Sequence, residues 1–233
     1  MMTIKDYGDQ AILIEFEAII DPAIHQQVSQ LHKALTSQKH TGIRSCIPAY
    51  HSLTVCYAPT LIPKKKLTDL IHFLFKESTS IDHPTSTLSI PVCYEAPFAL
   101  DMEFVLQQTQ LSKKALIQWH TQTIYQVYLL GFLPGFAYLG RVPEQLFCPR
   151  KSHPRLKVPK GAVGLAGYQT GIYPSASPGG WQIIGQTPIS VFDIQLEQPF
   201  LFEVGNQVQF KAIDKSEFEA IKNNPQRWQF HTS

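Results

Sequence analysis

The chain has 233 residues, enough for one large β domain or two smaller ones. Its apolar fraction of 44% with 16% charged residues is that of a packed globular protein and excludes a disordered chain. A formal net charge of +2 speaks against bulk nucleic-acid binding, which needs a strong basic excess, although an uneven charge distribution leaves room for a local anion site. No stretch approaches the roughly 18–20 apolar residues of a membrane span, so no membrane partner is expected. The opening MMTIKDYGDQAILIEF lacks the cationic, apolar and small-residue order of a signal peptide. Cys46, Cys56, Cys93 and Cys148 form no C-x-x-C pair and no zinc spacing. They read as small reduced thiols of a cytoplasmic protein, and no metal ligand set is evident.

In chain order, residues 11–16 form an apolar run suited to a buried strand. Asp21-Pro22 then supplies a helix N-cap with proline at the first helical position. Ile24, Val28, Leu31 and Leu35 follow at helical spacing, and Gly42 stops that helix. Residues 43–47 and 52–57 read as two strands around Pro48-Ala49-Tyr50. Pro63 opens a second helix with Leu67, Leu70, Ile71 and Leu74 on one face. This α+β unit occupies residues 1–80. The segment 78–89, STSIDHPTSTLS, is the expected linker.

A second domain is expected over residues 88–233. LSIPVCY at 88–94 reads as a strand. Asp101 is placed to cap a helix over 102–108, and Ser112 to cap another over 113–121, with Ala115, Leu116 and Trp119 on one side. YQVYLL at 125–130 is strand-like. The rest is short strands and turns: AVGLAG, TGIYP, WQIIGQTP, ISVFDI and FLFEVGNQVQF, the last with a hairpin turn at 204–207. Many short strands with Gly/Pro turns point to a barrel or a sandwich. A last helix is expected over 215–222.

The stretch 131–188 stands apart. Ten of the thirteen glycines fall between Gly131 and Gly185. Between Gly140 and Thr187 lie six Lys/Arg residues and one acid, Glu144, interleaved with Phe147, Tyr168, Tyr173 and Trp181; Phe136 and Tyr138 just precede them. Glycine permits positive φ and close backbone approach while proline fixes φ, so this density implies set turns. The large apolar residues within it imply packing rather than a linker. A packed, basic, aromatic segment is where a site is expected.

Signatures of P-loop ATPases, zincins, α/β-hydrolases and dinucleotide-binding folds are absent. His120, at a helix end beside Trp119, reads either as a packed or dipole-facing histidine or as an acid–base group. Arg150 and Arg155 lie in CPRKSHPR, a proline-stiffened loop. Two guanidiniums on rigid backbone suit bidentate capture of carboxylate or phosphate; the alternative is surface ion pairing, which the shortage of nearby acids weakens. Gln169 and Thr170, between tight turns, could fix a small polar ligand. Trp181 reads as a core anchor. Nothing local pairs Glu95 or Asp101 with a base.

GFLPGFAYLG, PRKSHPRLKVPKGAVGLAG and QTGIYPSASPGGWQIIGQTP resemble the signature segments of the KipI family, the B subunits of 5-oxoprolinase, also called allophanate hydrolase subunit 1. GDQAILIEF, IPAYHSLTVCY, IPVCY and HTQTIYQVY add to the match, so the resemblance covers nearly the whole chain. It implies a small N-terminal α+β domain followed by a cyclophilin-like β-barrel. One departure stands out. After IPVCY the family continues with a glycine turn, whereas here Glu95-Ala96-Pro97-Phe98 follows, with Pro97 setting φ; Asp101 matches the family's acid before the helix.

The resemblance also implies a function. With an A subunit and a homologous C subunit (the KipA or allophanate hydrolase subunit 2 type), members form ATP-dependent 5-oxoprolinase, which opens 5-oxo-L-proline to L-glutamate. Alternatives within the family are inhibition of a sensor histidine kinase and a role related to urea carboxylase and allophanate metabolism. ATP is the implied cofactor of the complex. The chain carries no nucleotide motif, so ATP is expected on a shared or different subunit. In this scheme His120, Arg150 and Arg155 are the candidate catalytic residues: the arginines would hold a carboxylate or a developing phosphate, and His120 would move a proton. Phe136, Tyr138, Gln169, Thr170 and Tyr173 are the candidate substrate-binding residues.

Overall fold

The computed structural model describes residues 2–77, 87–228 and 230. The chain divides into two compact units, Met1–Pro84 and Thr85–Ser233.

The first unit contains β1 (Thr3–Asp6), β2 (Ala11–Glu15), α1 (Pro22–Ser37), β3 (Ile43–Pro48), β4 (Ser52–Tyr57) and α2 (Lys64–Glu77). The strands form one antiparallel sheet in the order β1-β2-β4-β3. Alternation puts Ile12, Ile14, Leu53 and Val55 on one buried face, as the period of two in a half-covered sheet requires. α1 starts where expected. The Asp21 carboxylate accepts from the N–H groups of Ala23 and Ile24 at 2.8 and 3.1 Å. Its face of Val28, Leu31 and Leu35 and the α2 face of Leu67, Ile71 and Leu74 complete the core. β1 carries little hydrophobic pattern, and pairing with β2 rather than composition makes it a strand.

The second unit contains β5 (Thr87–Cys93), α3 (Met102–Thr109), α4 (Lys113–Gln122), β6 (Ile124–Leu130), β7 (Ala137–Gly140), β8 (Arg155–Val158), β9 (Ala162–Ala166), β10 (Gln169–Ile172), β11 (Ser177–Gly179), β12 (Gln182–Gln186), β13 (Gln207–Ile213) and α5 (Lys215–Asn223). Seven strands close into a barrel in the order β10-β7-β6-β13-β5-β12-β9, and β8 with β11 makes a separate two-stranded ribbon. Only β5 and β13 pair in parallel among these ladders. Ile90, Val92, Val127, Leu139, Val163, Leu165, Ile172, Ile184, Val208 and Phe210 belong to the main buried cluster of this unit. The expected linker at 78–86 lies outside the described residues; 87–89 already belong to β5.

Several expectations are corrected here. ISVFDI and FLFEV are not strands, and there is no FLFEV/QVQF hairpin. Both edges of β13 are taken by β5 and β6, so no edge is left for a hairpin partner. The 189–206 segment instead tucks Val191 and Phe202 into the core from an irregular path held by a Leu201 N–H to Val191 carbonyl bond of 3.1 Å. Asp101 precedes α3 but makes no side-chain cap; its carboxylate is used elsewhere. Ser112 does cap α4, accepting from the Ala115 N–H at 3.2 Å. On α4, Leu116 and His120 face inward while Trp119 is exposed. The turn after Tyr94 contains a cis Ala96–Pro97 bond. No helix among the described residues is long and apolar enough to cross a membrane.

Candidate functional site

The CPRKSHPR loop is fastened to the barrel along its length. Cys148 bridges Gly167 through paired backbone bonds. The Pro149 carbonyl accepts from Gln182 Nε2 at 3.1 Å. The Lys151 N–H donates to the Gly180 carbonyl at 2.8 Å. Pro154 lies against Gly180, and Arg155 begins β8. The loop therefore has little freedom although it is not regular secondary structure.

Its main anchor is Asp101, 5% exposed. Asp101 Oδ2 accepts from Arg155 Nη1 at 2.5 Å and from the Ile183 N–H at 2.7 Å. Oδ1 accepts from Arg155 Nη2 at 2.7 Å and Lys151 Nζ at 2.9 Å. Burial pushes this carboxyl upward, but the bonds from Arg155, the Ile183 N–H and Lys151 outweigh it and hold it below the usual value. Both terminal nitrogens of Arg155 are thus committed to a carboxylate of the protein itself. Arg150 is different: its side chain is exposed and makes no ion pair among the described residues.

Beside this loop stands an aromatic wall. Phe136 packs edge-on against Tyr173 at 5.2 Å and Trp181 at 5.4 Å between ring centres, and Tyr138 lies 4.8 Å from Phe136. Phe136, Tyr173 and Trp181 are buried with Val158, Ala162, Ala166 and Ile183, and Tyr138 is half-buried against them. Glycine makes the fit possible: a Cβ on Gly179 would stand 2.8 Å from Tyr173 Cε1 and closer still to its hydroxyl oxygen. Burial raises the pKa of Tyr138 and Tyr173, and the positive charge of Arg150 pulls both back. The Trp181 backbone also hydrogen-bonds Tyr173 and lowers its pKa.

His120 and Thr170 sit elsewhere, sealed in the barrel unit with no exposed surface. His120 Nδ1 is 2.7 Å from Tyr94 Oη, and Nε2 is 2.9 Å from Thr170 Oγ1. Thr170 donates its own hydroxyl proton to the Gly164 carbonyl at 3.1 Å. It must therefore accept from Nε2–H, which leaves Nδ1 to accept from Tyr94. The ring stacks on Phe210 at 4.4 Å. Burial lowers the His120 pKa from 6.5 to about 3, so the ring is neutral.

The structure thus brings Phe136, Tyr138 and Tyr173 together beside Arg150, and pairs His120 with Thr170 inside the barrel. It turns Arg155 toward Asp101. Gln169, half-buried, pairs with Gly140 and Ala166 and shares the outer face of β10 with Gly171, which lies under Trp181 and Phe136. Sequence reasoning does not reach the shared role of Asp101 and Lys151. The available signal is the acid-poor loop itself: two cations near one another without a local acid call for a distant one. Among the described residues no group of three His, Cys, Asp or Glu side chains is placed to hold a metal ion. Phe136, Tyr173 and Trp181 are themselves buried, so the groups this face presents to solvent are the exposed Arg150 guanidinium and the half-buried Tyr138.

A small α+β unit followed by a closed barrel with this outer face is the architecture of a carboxyltransferase-type domain. The family model for the carboxyltransferase domain, subdomain C and D, matches residues 2–202. The chain belongs to this family, on the branch that holds the B subunits of 5-oxoprolinase. It is similar to the 5-oxoprolinase B subunit of Bacillus subtilis (strain 168), at 36% identity over 230 residues, 94% of this chain and 96% of that one. The protein of the same name from Haemophilus influenzae is 39% identical over 190 residues, 81% of this chain and 89% of that one. Among solved structures, that of TTHA0988 superposes with a TM-score of 0.79 at 33% identity over 88% of this chain. This chain spans 40% of that solved chain.

Proposed function

We propose that this chain is the B subunit of an ATP-dependent 5-oxoprolinase, acting with an A subunit and a homologous C subunit. The observation that supports this most is the end-to-end correspondence with the 5-oxoprolinase B subunit of Bacillus subtilis, 94% of this chain against 96% of that one. In the proposed reaction the lactam oxygen of 5-oxoproline takes the γ-phosphoryl group of ATP and ADP leaves. Water adds to the activated carbon, and the ring C–N bond breaks to leave γ-glutamyl phosphate. A second water releases glutamate and phosphate.

The roles proposed for this chain are binding and positioning. Arg150 receives an anionic group of the reactants. Tyr138 and Gln169, both half-buried, are the residues proposed to orient the ring, and the buried Phe136, Tyr173 and Trp181 support that face from beneath. Arg155, held by Asp101, keeps the Arg150 loop in place rather than touching substrate. His120 and Thr170 hold β10 and β9 in register from inside the barrel, since a sealed neutral imidazole with both nitrogens engaged has no path to exchange protons with a ligand outside. ATP is assigned to another subunit or a shared surface.

The test is reconstitution. Purified with its A and C subunits, the protein supports ATP-dependent release of glutamate from 5-oxoproline. Full activity from A and C alone would remove this chain from the reaction.

A further inference from the structure

We infer that the ribbon of β8 and β11 is a protein-docking surface, with Leu156 as its apolar anchor and Lys157 and Lys160 as its charged rim, and that it receives an acidic face of a partner subunit. This rests on the subunit reading above and adds to it the place on this chain where a partner is held.

The ribbon departs from ordinary strand alternation. Arg155 stands opposite Gly179 and Val158 opposite Ser177, so Leu156 and Lys157 together face Pro178. Two residues against one make a β-bulge, a device that re-aims side chains. Here Leu156 and Lys157 are both turned outward. Leu156 is 92% exposed, the most of any large hydrophobic side chain among the described residues. Pro178, across the ribbon from it, is exposed as well. Both ends of the bulge are fastened: Arg155 is held by Asp101, and Val158 is buried with Phe136 and Trp181. The leucine is therefore displayed on a fixed protrusion, and covering it costs little ordering entropy. Pro178, at the centre of β11, has no N–H for strand addition, so a partner on this face reads side chains.

The charge around the anchor defines the surface that covers it. Residues 149–160 carry five Lys/Arg and no acid. Lys151 and Arg155 are spent on Asp101, and Arg150 is assigned above to the reactants. Lys157 and Lys160 remain. Both are exposed, and neither makes an ion pair among the described residues. The Lys160 carbonyl accepts from Gln186 Nε2 at 2.6 Å, which fixes that end of the rim. An apolar centre with a cationic rim is complemented by an apolar hollow edged with carboxylates. Two lysines fall short of the roughly four to eight cations that hold a protein on an anionic membrane. They fall equally short of the phosphate contacts that nucleic-acid binding needs. The occupant is a protein. The TTHA0988 chain, of which this chain spans 40%, joins the same fold to further protein in one polypeptide.

Binding of the full-length chain to purified A and C subunits, each followed by interferometry, tests the surface. Leu156→Ser weakens binding to one of them at least about tenfold. Lys157→Glu combined with Lys160→Glu lowers the association rate about tenfold at low salt, and about 0.5 M salt removes most of that difference. Melting temperatures stay at the wild-type value, because these side chains stand in solvent. The surface is overturned if Leu156→Ser binds both subunits as the wild type does, if charge reversal leaves the association rate unchanged, or if the variants lose binding to phosphatidylglycerol vesicles instead. If the wild type binds neither subunit, the surface and the subunit reading fall together. Unaltered binding of the variants in an assembly that releases glutamate rejects the surface alone. Leu156-dependent binding in an assembly that releases none upholds the surface and rejects the oxoprolinase reading.

Discussion

Asp101 grips Arg155 across 54 residues of sequence, with Oδ2 on Nη1 at 2.5 Å and Oδ1 on Nη2 at 2.7 Å. The same carboxylate accepts from the Ile183 N–H, and the Asp101 N–H donates to the Ile183 carbonyl at 2.8 Å. One side chain therefore joins the start of α3, strand β12 and the loop that carries Arg150. Such a pair is strong because its geometry is bidentate and its acid is withdrawn from water.

Replacing Asp101 by Asn keeps the volume but leaves Arg155 and Lys151 facing a neutral amide. The expected loss is about 3 kcal/mol, the low end for breaking a buried pair because both cations retain some access to water. Urea unfolding of the variant measures it. A loss below about 1 kcal/mol would show that the ion pair does not hold the loop.

The same carboxylate sets an acid limit. Its folded pKa lies below its ordinary value, so its stabilising contribution is complete above the ordinary carboxylate range and is lost as pH falls through the folded value. Unfolding midpoints followed below about pH 4 should drop more steeply in the wild type than in Asp101→Asn.

His120 acts in a separate window. Its pKa falls from 6.5 to about 3 on folding, so the unfolded chain binds the extra proton first. Stability due to this residue is complete above 6.5 and declines toward about 3, at up to about 1.4 kcal/mol per pH unit. Nitrogen chemical shifts should show His120 neutral at about pH 5 with the proton on Nε2. A charged ring at that pH in the folded protein would contradict a buried neutral imidazole held between Tyr94 and Thr170.

Thr170→Val removes the acceptor for His120 Nε2–H and the donor to the Gly164 carbonyl while keeping the shape. A buried donor without a partner costs about 1–3 kcal/mol, and Thr170→Ser should recover most of it. Thermal unfolding of the two variants makes the comparison; equal losses would point to packing rather than to the hydroxyl.

Gly179→Ala places a methyl group 2.8 Å from Tyr173 Cε1 and against its hydroxyl, so the ring or the β11 backbone must shift. A cost of about 1–3 kcal/mol is expected from overpacking. Thermal unfolding measures it, and an unchanged protein would mean that Tyr173 has room to move.

Much of the local order was legible from short-range rules. The Asp21-Pro22 helix start, the Ser112 cap, the alternating faces of β2 and β4, and the turn-rich character of 131–188 follow from hydrogen bonding and periodicity within a few residues. Long motifs were enough to place the chain in its family. Only the tertiary structure decided which charges are spent and which remain. Asp101 resembles a helix cap until β12 and the 148–155 loop close over it, and Arg150 and Arg155 are alike in sequence until one meets that acid. His120 has the composition of an acid–base group and the surroundings of a core residue. FLFEV has the composition of a strand but finds both edges of β13 occupied. In each case the residue type sets what chemistry is available, whereas burial and long-range pairing, which depend on chain closure over tens of residues, set what that chemistry is used for.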